Sequence, residues 1–264
     1  MNELYKEIKT EYLNGKSLRM LSKEYHVGRD NLSNFLKSEN ITIRKSNITS
    51  RKYSCDENYF ECIDNEEKAY WLGFLYADGF IESKRGTYSQ KFGIMLSYRD
   101  RKHLEKFNKC LNSNYVIHDY EGSGYNKSGK FSRLLITSQK MVNDLKNLGC
   151  VEQKTSSLVF PTENQVPKKL QKDFIRGMID GDGSVFISNT PMFSFLGTYD
   201  IVNNVKNILK LSVKTIKDER CEHIYYFNAS ARKNFSALKW LYEDSAIYLD
   251  RKFEMYCKIK SLIE

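Results

Sequence analysis

Two aspartates, Asp78 and Asp182, each stand near the end of a long apolar segment and are each followed at once by a glycine. The segments read YWLGFLYADGF at 70–80 and FIRGMIDGDGSVF at 174–186. If both segments are helices, each carboxylate meets the negative end of a helix dipole, so two of them side by side need a cation between them. Oxygen ligands without histidine or cysteine nearby favour Mg²⁺, which keeps several waters. The pattern therefore predicts a Mg²⁺ site that accepts phosphate oxygens.

Small residues at a spacing of four predict how the two segments meet. Gly73 and Ala77 fall on one face of a helix in the first segment, and Gly177 and Gly181 do the same in the second. Faces without large side chains let two helices approach backbone to backbone. The apolar flanks of both helices would then pack into a core, and the two helices would form the seam between two halves of the protein.

The glycines after the aspartates predict where the two helices end. Gly79 and Gly183 would take the left-handed backbone conformation of a helix end, which places Asp78 and Asp182 at adjacent C-termini. Asp180 is a third acid, but residues two apart on a helix point roughly 200° away from each other, so it cannot share a metal with Asp182. We therefore expect Asp180 to be structural.

Each apolar segment opens a repeat with one order of elements. Hydrophobic patterns predict helix, strand, strand, helix, strand, strand, helix over 61–157 and again over 158–264. Both repeats close with a lysine, Lys154 in the first and Lys252 in the second. A single apolar segment would indicate no more than a buried helix with a capping aspartate, whereas its repetition favours the metal site. Two such units predict a pseudo-two-fold protein, a symmetry that duplex DNA shares.

Residues 1–45 predict a separate helical domain. Helical patterns cover 3–14, 18–25 and 29–38, with Ser17 as the cap of the second helix. This arrangement resembles the helix-turn-helix of bacterial DNA-binding proteins. Its third helix carries side chains that can contact phosphates or base edges, namely Arg29, Asn31, Asn34 and Lys37.

A basic linker is predicted over 46–60. Between Asn40 and Cys55 the chain has no acid and four cations, which are Arg44, Lys45, Arg51 and Lys52. Such a stretch is either a solvated tether or a tether that also contacts phosphates.

Further DNA contacts are predicted from strands and from one loop. The loop at 122–131, GSGYNKSGKF, resembles a phosphate-binding loop, but Phe131 stands where that motif needs a hydroxyl, and the segment lies between two strands. We interpret it as a hairpin tip. Strand alternation and this hairpin together predict DNA contacts from Lys91, Ser97, Arg99, Lys127, Lys130 and Arg133.

The overall charge predicts a polyanionic partner. The 264 residues include 42 Lys and Arg against 33 Asp and Glu, which gives a net charge of +9. No stretch approaches the roughly 18 apolar residues of a membrane span, and the N-terminal sequence does not resemble a signal peptide. We therefore expect a protein without a membrane partner that is not secreted, located in a bacterial or phage-infected cytoplasm or in an organelle.

The cysteines and histidines argue against a zinc site. The six cysteines contain no C-x-x-C pair, and no two of the four histidines have the spacing of a ligand pair. We expect six reduced thiols, most of them buried.

The paired segments resemble the LAGLIDADG homing endonucleases in their single-chain form, which carries two motifs. The matching stretches are WLGFLYADG at 71–79 and IRGMIDGDG at 175–183. The first motif departs from the family pattern at Tyr76. Leu72 and Arg176 replace the usual alanine, with little expected consequence.

The resemblance covers about residues 60–264 and implies an α+β fold. Two αββαββα repeats would each contribute a four-stranded sheet to a saddle that lies in the major groove of DNA. The protein would act as a monomer on a long, asymmetric double-stranded target.

The same resemblance implies the chemistry of the site. One aspartate, Asp78 or Asp182, would act on each strand, with divalent ions held against the scissile phosphates and with Ala77 and Gly181 in the same metal site. Mg²⁺ is the expected ion, Mn²⁺ would substitute, and Ca²⁺ would bind without turnover. Metal-activated water would attack in line and leave short 3′ overhangs. The family's central basic residues, part of a solvent network, would be Lys154 and Lys252.

Two other functions stay open. A transcription regulator could use the helix-turn-helix for binding and carry an inactive nuclease core, and a maturase would bind structured intron RNA. The presence of both Asp78 and Asp182 favours the endonuclease over the regulator, because such regulators typically lose the acids. It does not separate the endonuclease from a maturase, which can keep the motif. Of these, we expect an endonuclease.

Overall fold

The structure, a computed structural model, describes residues 3–43, 52–82, 90–122, 129–151 and 157–264. The chain forms two compact units, Met1–Ser54 and Cys55–Glu264. None of the helices in the described ranges is long and apolar enough to cross a membrane.

The first unit contains the three helices expected from the sequence. They are α1 at Glu3–Leu13, α2 at Leu18–Glu24 and α3 at Arg29–Ser38. Ser17 caps α2, because its side chain accepts a hydrogen bond from the backbone N–H of Met20. The helices bury one small core, made of Ile8, Tyr12, Leu21, Leu32 and Leu36.

The second unit runs twice through one order of elements. The first half contains α4 (Glu66–Asp78), β1 (Gly79–Glu82), β2 (Lys91–Ser97), α5 (Arg101–Cys110), β3 (His118–Glu121), β4 (Lys130–Thr137) and α6 (Gln139–Asn147). The second half contains α7 (Gln171–Asp182), β5 (Ser184–Ile187), β6 (Pro191–Gly197), α8 (Tyr199–Ile208), β7 (Ile216–Lys217), β8 (Tyr225–Ser230) and α9 (Phe235–Tyr242), followed by α10 (Asp250–Ile263).

Each half folds around one antiparallel four-stranded sheet. The strand orders are β1-β2-β4-β3 and β5-β6-β8-β7, so the two sheets share one topology. Alternate residues of the central strands are buried in the core, as Phe92 and Ile94 of β2 and Phe193 and Phe195 of β6 show. The side chains between them point to the opposite face of each sheet. The α+β class with two four-stranded sheets therefore agrees with the sequence prediction.

The two helices that end in the aspartates lie inside the core. Every residue of α4 from Ala69 to Ala77 is buried, and so is α7 from Asp173 to Asp180. A helix that is buried on all sides needs partners on all sides, apolar ones for most of its side chains and polar ones for the buried Asp173, Arg176 and Asp180 of α7. Each helix meets these partners in the other helix and in the packed elements of its own half.

The core of the second unit begins earlier in the chain than the predicted linker allows. Phe60 is fully buried and Tyr59 is 5% exposed. The backbone N–H of Asp56 donates a hydrogen bond to the carbonyl oxygen of Leu111 at 2.8 Å. The prediction placed the linker at 46–60, yet its last residues carry aromatic side chains that pack into the core.

The cysteines are free thiols, but they are not mostly buried as expected. Cys150 is buried and Cys55 and Cys110 are partly buried, whereas three thiols are exposed: Cys62, Cys221 and Cys257. The helices that carry Cys110 and Cys257 are amphipathic, and the position on the helix decides burial.

Candidate functional site

Helices α4 and α7 touch through their backbones. A Cβ added at Gly73 would overlap the carbonyl oxygen of Phe174 and lie 2.8 Å from its carbonyl carbon. A Cβ added at Gly177 would overlap the carbonyl oxygen of Tyr70 and lie 2.8 Å from the backbone nitrogen of Phe74. Only glycine fits at these two positions, because close packing leaves no room for another atom. The two glycine faces expected from the sequence thus lie against each other.

This contact continues to the ends of both helices and brings the two aspartates together. A Cβ added at Gly181 would overlap that of Ala77 and lie 3.4 Å from Oδ2 of Asp78. The Asp78 carboxylate therefore lies against the backbone of the residue that precedes Asp182. Both aspartates are half-buried. They stand at the last residues of their helices, where the dipoles end negatively.

The glycines after the aspartates do not adopt the predicted left-handed conformation. Gly79 has φ −72° and ψ 156°, and Gly183 has φ −89° and ψ 173°, both extended. Each helix passes directly into a strand, which needs an extended residue. Glycine is required for space instead, since a Cβ at Gly183 would lie 2.6 Å from the carbonyl oxygen of Ile179.

Lys252, at the start of α10, holds the end of α7. Its ammonium donates hydrogen bonds to the carbonyl oxygens of Ile179 (2.6 Å), Asp180 (2.7 Å), Gly181 (3.3 Å) and Gly183 (2.6 Å). Asp180 and Gly181 are in the last turn of α7, where a helix leaves carbonyl oxygens without an intrahelical partner, whereas the carbonyl of Ile179 also accepts the backbone N–H of Gly183. The side chain is buried, so it faces main-chain oxygens and not the solvent network that the resemblance implied.

The charge of Lys252 is balanced by nearby carboxylates. Burial lowers its pKa to about 8, and the negative charges of Asp180, Asp78 and Asp182 oppose that shift. A cation buried this deeply is costly unless it is paired. The ammonium therefore feels the negative charges of Asp78 and Asp182 while it binds main-chain oxygens at the end of α7.

We expect Lys252→Met to slow cleavage by at least about tenfold and to lower the free energy of unfolding by about 2 kcal/mol. Methionine keeps the volume of the side chain but removes the lysine donor from the carbonyl oxygens of Asp180, Gly181 and Gly183. Removing a buried charge recovers part of this loss of stability. Single-turnover cleavage and thermal unfolding measure the two effects. The control is Lys258→Met on the same helix, where the side chain is exposed. Equal behaviour of the two variants would contradict this role for Lys252.

Asp180 lies in the core and joins the two halves. Its carboxylate accepts hydrogen bonds from Oη of Tyr70 and Oη of Tyr242, both at 2.7 Å, and from the backbone N–H of Leu249 at 2.8 Å. Burial raises its pKa, and Lys252 together with these donors opposes the shift. Tyr70 belongs to the first motif helix, so this carboxylate is one of the polar contacts that fix α4 against α7.

His103 of α5 extends this network. Because Oη of Tyr70 donates its proton to Asp180, Nε2 of His103, at 3.0 Å from that oxygen, must be the donor to it. Nδ1 is then unprotonated, and it has no hydrogen-bond partner among the residues that the structure describes. Burial lowers the pKa of His103 to about 3, so the ring is neutral at neutral pH.

We expect acid to destabilise the protein through His103. The unfolded chain binds a proton at this ring below about pH 6.5 and the folded chain only near pH 3, so stability falls as pH falls across that window, by on the order of 1.4 kcal/mol per pH unit. His103→Phe should remove this component of the slope. Urea unfolding, followed by the fluorescence of Trp71 and Trp240, measures it, with the exposed His118→Phe as control. Parallel slopes for wild type and His103→Phe would contradict the assignment.

Arg176 has a larger role than the sequence suggested. It is fully buried and donates to the carbonyl oxygens of Leu241 at 3.0 Å and Ile247 at 2.9 Å and to Oδ1 of Asp173 at 2.7 Å. These hydrogen bonds fix the end of α9 and the loop that leads into α10, and α10 carries Lys252. In the sequence, the spacing of three between Asp173 and Arg176 places both on one helix face, and this spacing could have predicted the buried ion pair.

The oxygen atoms at the seam fit a hard divalent cation. Asp78 and Asp182 end the two touching helices there, and no group of three or more His, Cys, Asp or Glu side chains that could hold a metal occurs within the described ranges. Mg²⁺ is commonly bound by one or two carboxylates with waters and substrate phosphates. Ala77 and Gly181 could contribute only main-chain atoms, and the carbonyl of Gly181 already accepts from Lys252.

Part of the predicted DNA-contact set lies on the outer face of the first sheet, opposite the core. Lys91, Ser97 and Arg133 alternate with the buried residues of β2 and β4. Arg133 is hydrogen-bonded to Glu82, and its guanidinium lies 4.9 Å from the ring centre of Phe80. This face combines charged and aromatic groups.

Two other predicted contacts have different surroundings. Arg99 follows the end of β2, in the 3₁₀ turn Tyr98–Asp100, so strand alternation does not place it on the sheet face as predicted. It is exposed, with Nε 3.8 Å from Asp100. Lys130 begins β4 and faces Glu121 of the neighbouring strand at 3.9 Å.

The first unit presents its predicted contacts to solvent. All four on α3 are exposed, namely Arg29, Asn31, Asn34 and Lys37, and Lys52 is exposed as well. Outside the described residues lie Arg44, Lys45, Arg51, Lys127 and Lys154.

Asp182 also lines a groove of about 550 Å³ that continues over the second sheet. Ser184, Ser194 and Asn228 form part of its floor. The Asp182 carboxylate is therefore continuous with an open groove over the second sheet.

No family model matches the sequence, and no curated protein matches it. Solved structures match its fold. I-SmaMI bound to an uncleaved DNA target in the presence of calcium ions aligns with a TM-score of 0.51 and 13% identity, over 76% of this chain and 92% of that one. The I-SmaMI LAGLIDADG homing endonuclease bound to cleaved DNA aligns with a TM-score of 0.50 and 12% identity, over 76% and 90%.

A third match is the I-LtrWI LAGLIDADG homing endonuclease bound to target DNA, with a TM-score of 0.50 and 11% identity, over 79% of this chain and 90% of that one. Because the first unit is only Met1–Ser54, the matched part must lie mainly in Cys55–Glu264. The chain therefore has the fold of the LAGLIDADG homing endonucleases.

Proposed function

We propose that this protein is a homing endonuclease, a monomer that cuts both strands of a specific DNA target with one aspartate from each half. The observation that carries the proposal is the pairing of Asp78 and Asp182 at the ends of two helices in backbone contact. A capping role would not require two carboxylates to be brought together at a negative helix end.

The surroundings of the pair support a DNA substrate. The net charge is +9, and each sheet presents one face away from the core. The groove at Asp182 joins the pair to one of these faces. The structures of similar fold, I-SmaMI and I-LtrWI, are described with bound DNA. We infer that the two outer sheet faces hold the duplex on either side of the aspartates.

Mg²⁺ is the proposed cofactor, held by the carboxylates of Asp78 and Asp182. When bound, it lowers the pKa of a water molecule and neutralises charge that develops on the phosphate. The protein's own groups position the two carboxylates, because the glycine seam fixes the helices and Lys252 fixes the end of α7. Mn²⁺ is expected to substitute. Ca²⁺ is expected to bind without turnover, which the calcium complex of I-SmaMI with uncleaved DNA supports.

The test uses DNA obtained by binding selection from a random double-stranded library. Incubation of that DNA with full-length protein is expected to give linear cuts with short 3′ overhangs in Mg²⁺ or Mn²⁺ and none in Ca²⁺ or in a chelator. Cleavage in the chelator would contradict the metal site. In a parallel selection from a random RNA library, enrichment of structured RNA without enrichment of duplex DNA would favour a maturase. Stable binding of DNA without cleavage would favour a regulator.

The first unit is proposed to add DNA contacts without chemistry. Helix α3 is exposed along its polar side, and a basic groove forms between α2 and α3, lined by Arg19, Ser22, Lys23, His26 and Arg29. These cations suit the backbone phosphates, which position a protein on DNA.

We expect deletion of residues 1–45 to leave a nuclease that cuts the same phosphates but binds about 10²–10⁴-fold more weakly, because a tethered second module acts through effective concentration. The footprint should shrink on one side only, since one module is attached to a two-half core. Each lost phosphate contact should make the log–log salt slope shallower by about 0.9. Footprinting of both proteins on one target measures this. Identical protected lengths would leave the unit without a DNA-binding role.

A further inference from the structure

The outer face of the second sheet carries no charged side chain on strands β5, β6 and β8, all of which the structure describes. The register identifies the residues that share this face, because Ser184 pairs with Ser194 and Ser194 with Asn228. The positions between them are buried in the core. The outer set is Ser184, Phe186, Met192, Ser194, Leu196, Tyr226, Asn228 and Ser230, with Ile216 on the neighbouring edge strand.

The corresponding face of the first sheet is charged. Glu82, Lys91 and Arg133 all lie on it, as the pairing of Glu82 with Lys91 and the alternation along β4 show. The two faces have the same topology but different chemistry. A difference of this kind, at matched places in two halves, affects what each half can recognise.

Base recognition depends on side-chain type. Arg and Lys donate two hydrogen bonds to guanine, and Asp or Glu accepts from cytosine, so the usual readers of a G·C pair are charged. Asn binds adenine through two hydrogen bonds, Ser contacts any base, and apolar side chains contact the thymine methyl group. The second face offers Asn228 and exposed apolar groups such as Phe186 and Leu196. Its strands β5, β6 and β8 hold none of the charged readers of a G·C pair.

We propose that the second sheet reads an A·T-rich half-site, with Asn228 on an adenine, and that Arg133 of the first sheet reads a guanine in the other half-site. This inference rests on the proposed DNA-binding function and goes beyond it by naming the base composition of the target and two residues that determine it.

The charged groups nearest the second face stand at one side of its groove, where Lys217, Asp218, Glu219 and Arg220 line it after strand β7 begins. The cations among them would contact phosphates. Lys217 is exposed on edge strand β7, Arg220 is exposed in the loop that follows, and Arg232 and Lys233 are exposed after β8. On this surface, the side chains that would bind the DNA phosphates are thus different from those that would recognise the bases. The uncharged strands therefore lie beside cations that can bind DNA.

The test is selection of duplex DNA by full-length protein from a random library, at one fixed salt concentration. The expected product has an A·T-rich block on one side of a central segment and a block with at least one strongly preferred G·C pair on the other. Asn228→Ala should relax the preference at one position of the A·T-rich block, and Arg133→Ala should relax a guanine in the other block. Each loss of discrimination should be about 5- to 150-fold.

Asn228→Arg sharpens the test, because it should change one A·T preference to G·C at the position that Asn228→Ala relaxes. The control is Asn207→Arg, the same substitution at an exposed position of α8, which packs on the core side of this sheet. It should leave the selected sequence unchanged. A G·C-rich block at the positions affected by Asn228 variants would overturn the inference while DNA binding stands. If no duplex DNA is enriched by the wild-type protein, the proposed function itself fails.

Discussion

Asp78→Asn and Asp182→Asn are each expected to lose double-strand cleavage by about 10³-fold or more while duplex binding is retained. Asparagine keeps the size of each side chain but removes one of the two negative charges that are proposed to hold the cation. Binding should survive because the sheet faces and surface cations proposed to contact DNA lie apart from this pair. The measurement is the rate at which supercoiled plasmid with a selected target becomes linear in Mg²⁺, beside the affinity for the same target in Ca²⁺.

Asp180→Asn is the matched control, since it changes the same side chain two positions away on the same helix. Asp180 accepts three hydrogen bonds in the core, and an amide nitrogen cannot accept any of them. This variant should lose about 1–3 kcal/mol of stability yet keep more activity than Asp182→Asn. Asp182→Asn should show the reverse, with normal unfolding and little cleavage. If Asp180→Asn is the less active of the two folded proteins, the wrong acid has been assigned to the metal.

The central seam could be predicted from the sequence because its signal is local. Small residues at a spacing of four in two apolar segments place flat faces on two helices, and Gly73 and Gly177 meet the opposite backbone as expected. The order of elements in each half follows from hydrophobic periodicity for the same reason. In both cases a few neighbouring positions carry the whole pattern.

The support around the aspartates could not be predicted, because its contacts join residues that are far apart in the chain. Lys252 binds carbonyl groups of α7, and main-chain oxygens have no sequence signature. Tyr70 reaches Asp180 across the seam, and His103 joins them from a third helix. Each of these residues has ordinary neighbours in sequence, so only the assembled fold identifies its partner.

The support is also different in the two halves. Asp180 in the second motif helix binds Tyr70, whereas Tyr76, at the matching place in the first motif helix, donates a hydrogen bond to the carbonyl oxygen of Leu148 at 2.6 Å. One half therefore stabilises its motif helix through a buried acid and the other through a buried phenol. The aspartates are matched in position, but the contacts that hold them are not interchangeable.

Gly73→Ala and Gly177→Ala are each expected to lower the free energy of unfolding by about 3 kcal/mol or more, with cleavage lost in whatever folds. Helix propensity alone gives the opposite sign, because alanine in a helix interior is about 1 kcal/mol better than glycine. Packing decides, since the new methyl group would overlap a carbonyl oxygen of the facing helix at both positions. The helices must separate to accept it, which also moves Asp78 away from Asp182.

Thermal unfolding followed by tryptophan fluorescence measures the effect on the second unit, Cys55–Glu264, because both tryptophans, Trp71 and Trp240, lie in it. A loss of 3 kcal/mol corresponds to a fall in Tm of about 6–12 °C for a unit of this size. The control is Gly197→Ala at the end of β6, where the nearest atom to a new Cβ is a side-chain methyl of Ile201 at 3.3 Å that can move. It should cost far less. A Tm for Gly73→Ala or Gly177→Ala at or above that of the wild type would mean that the two helices can separate without a loss of stability. The close backbone contact between them would then have no role in holding Asp78 and Asp182.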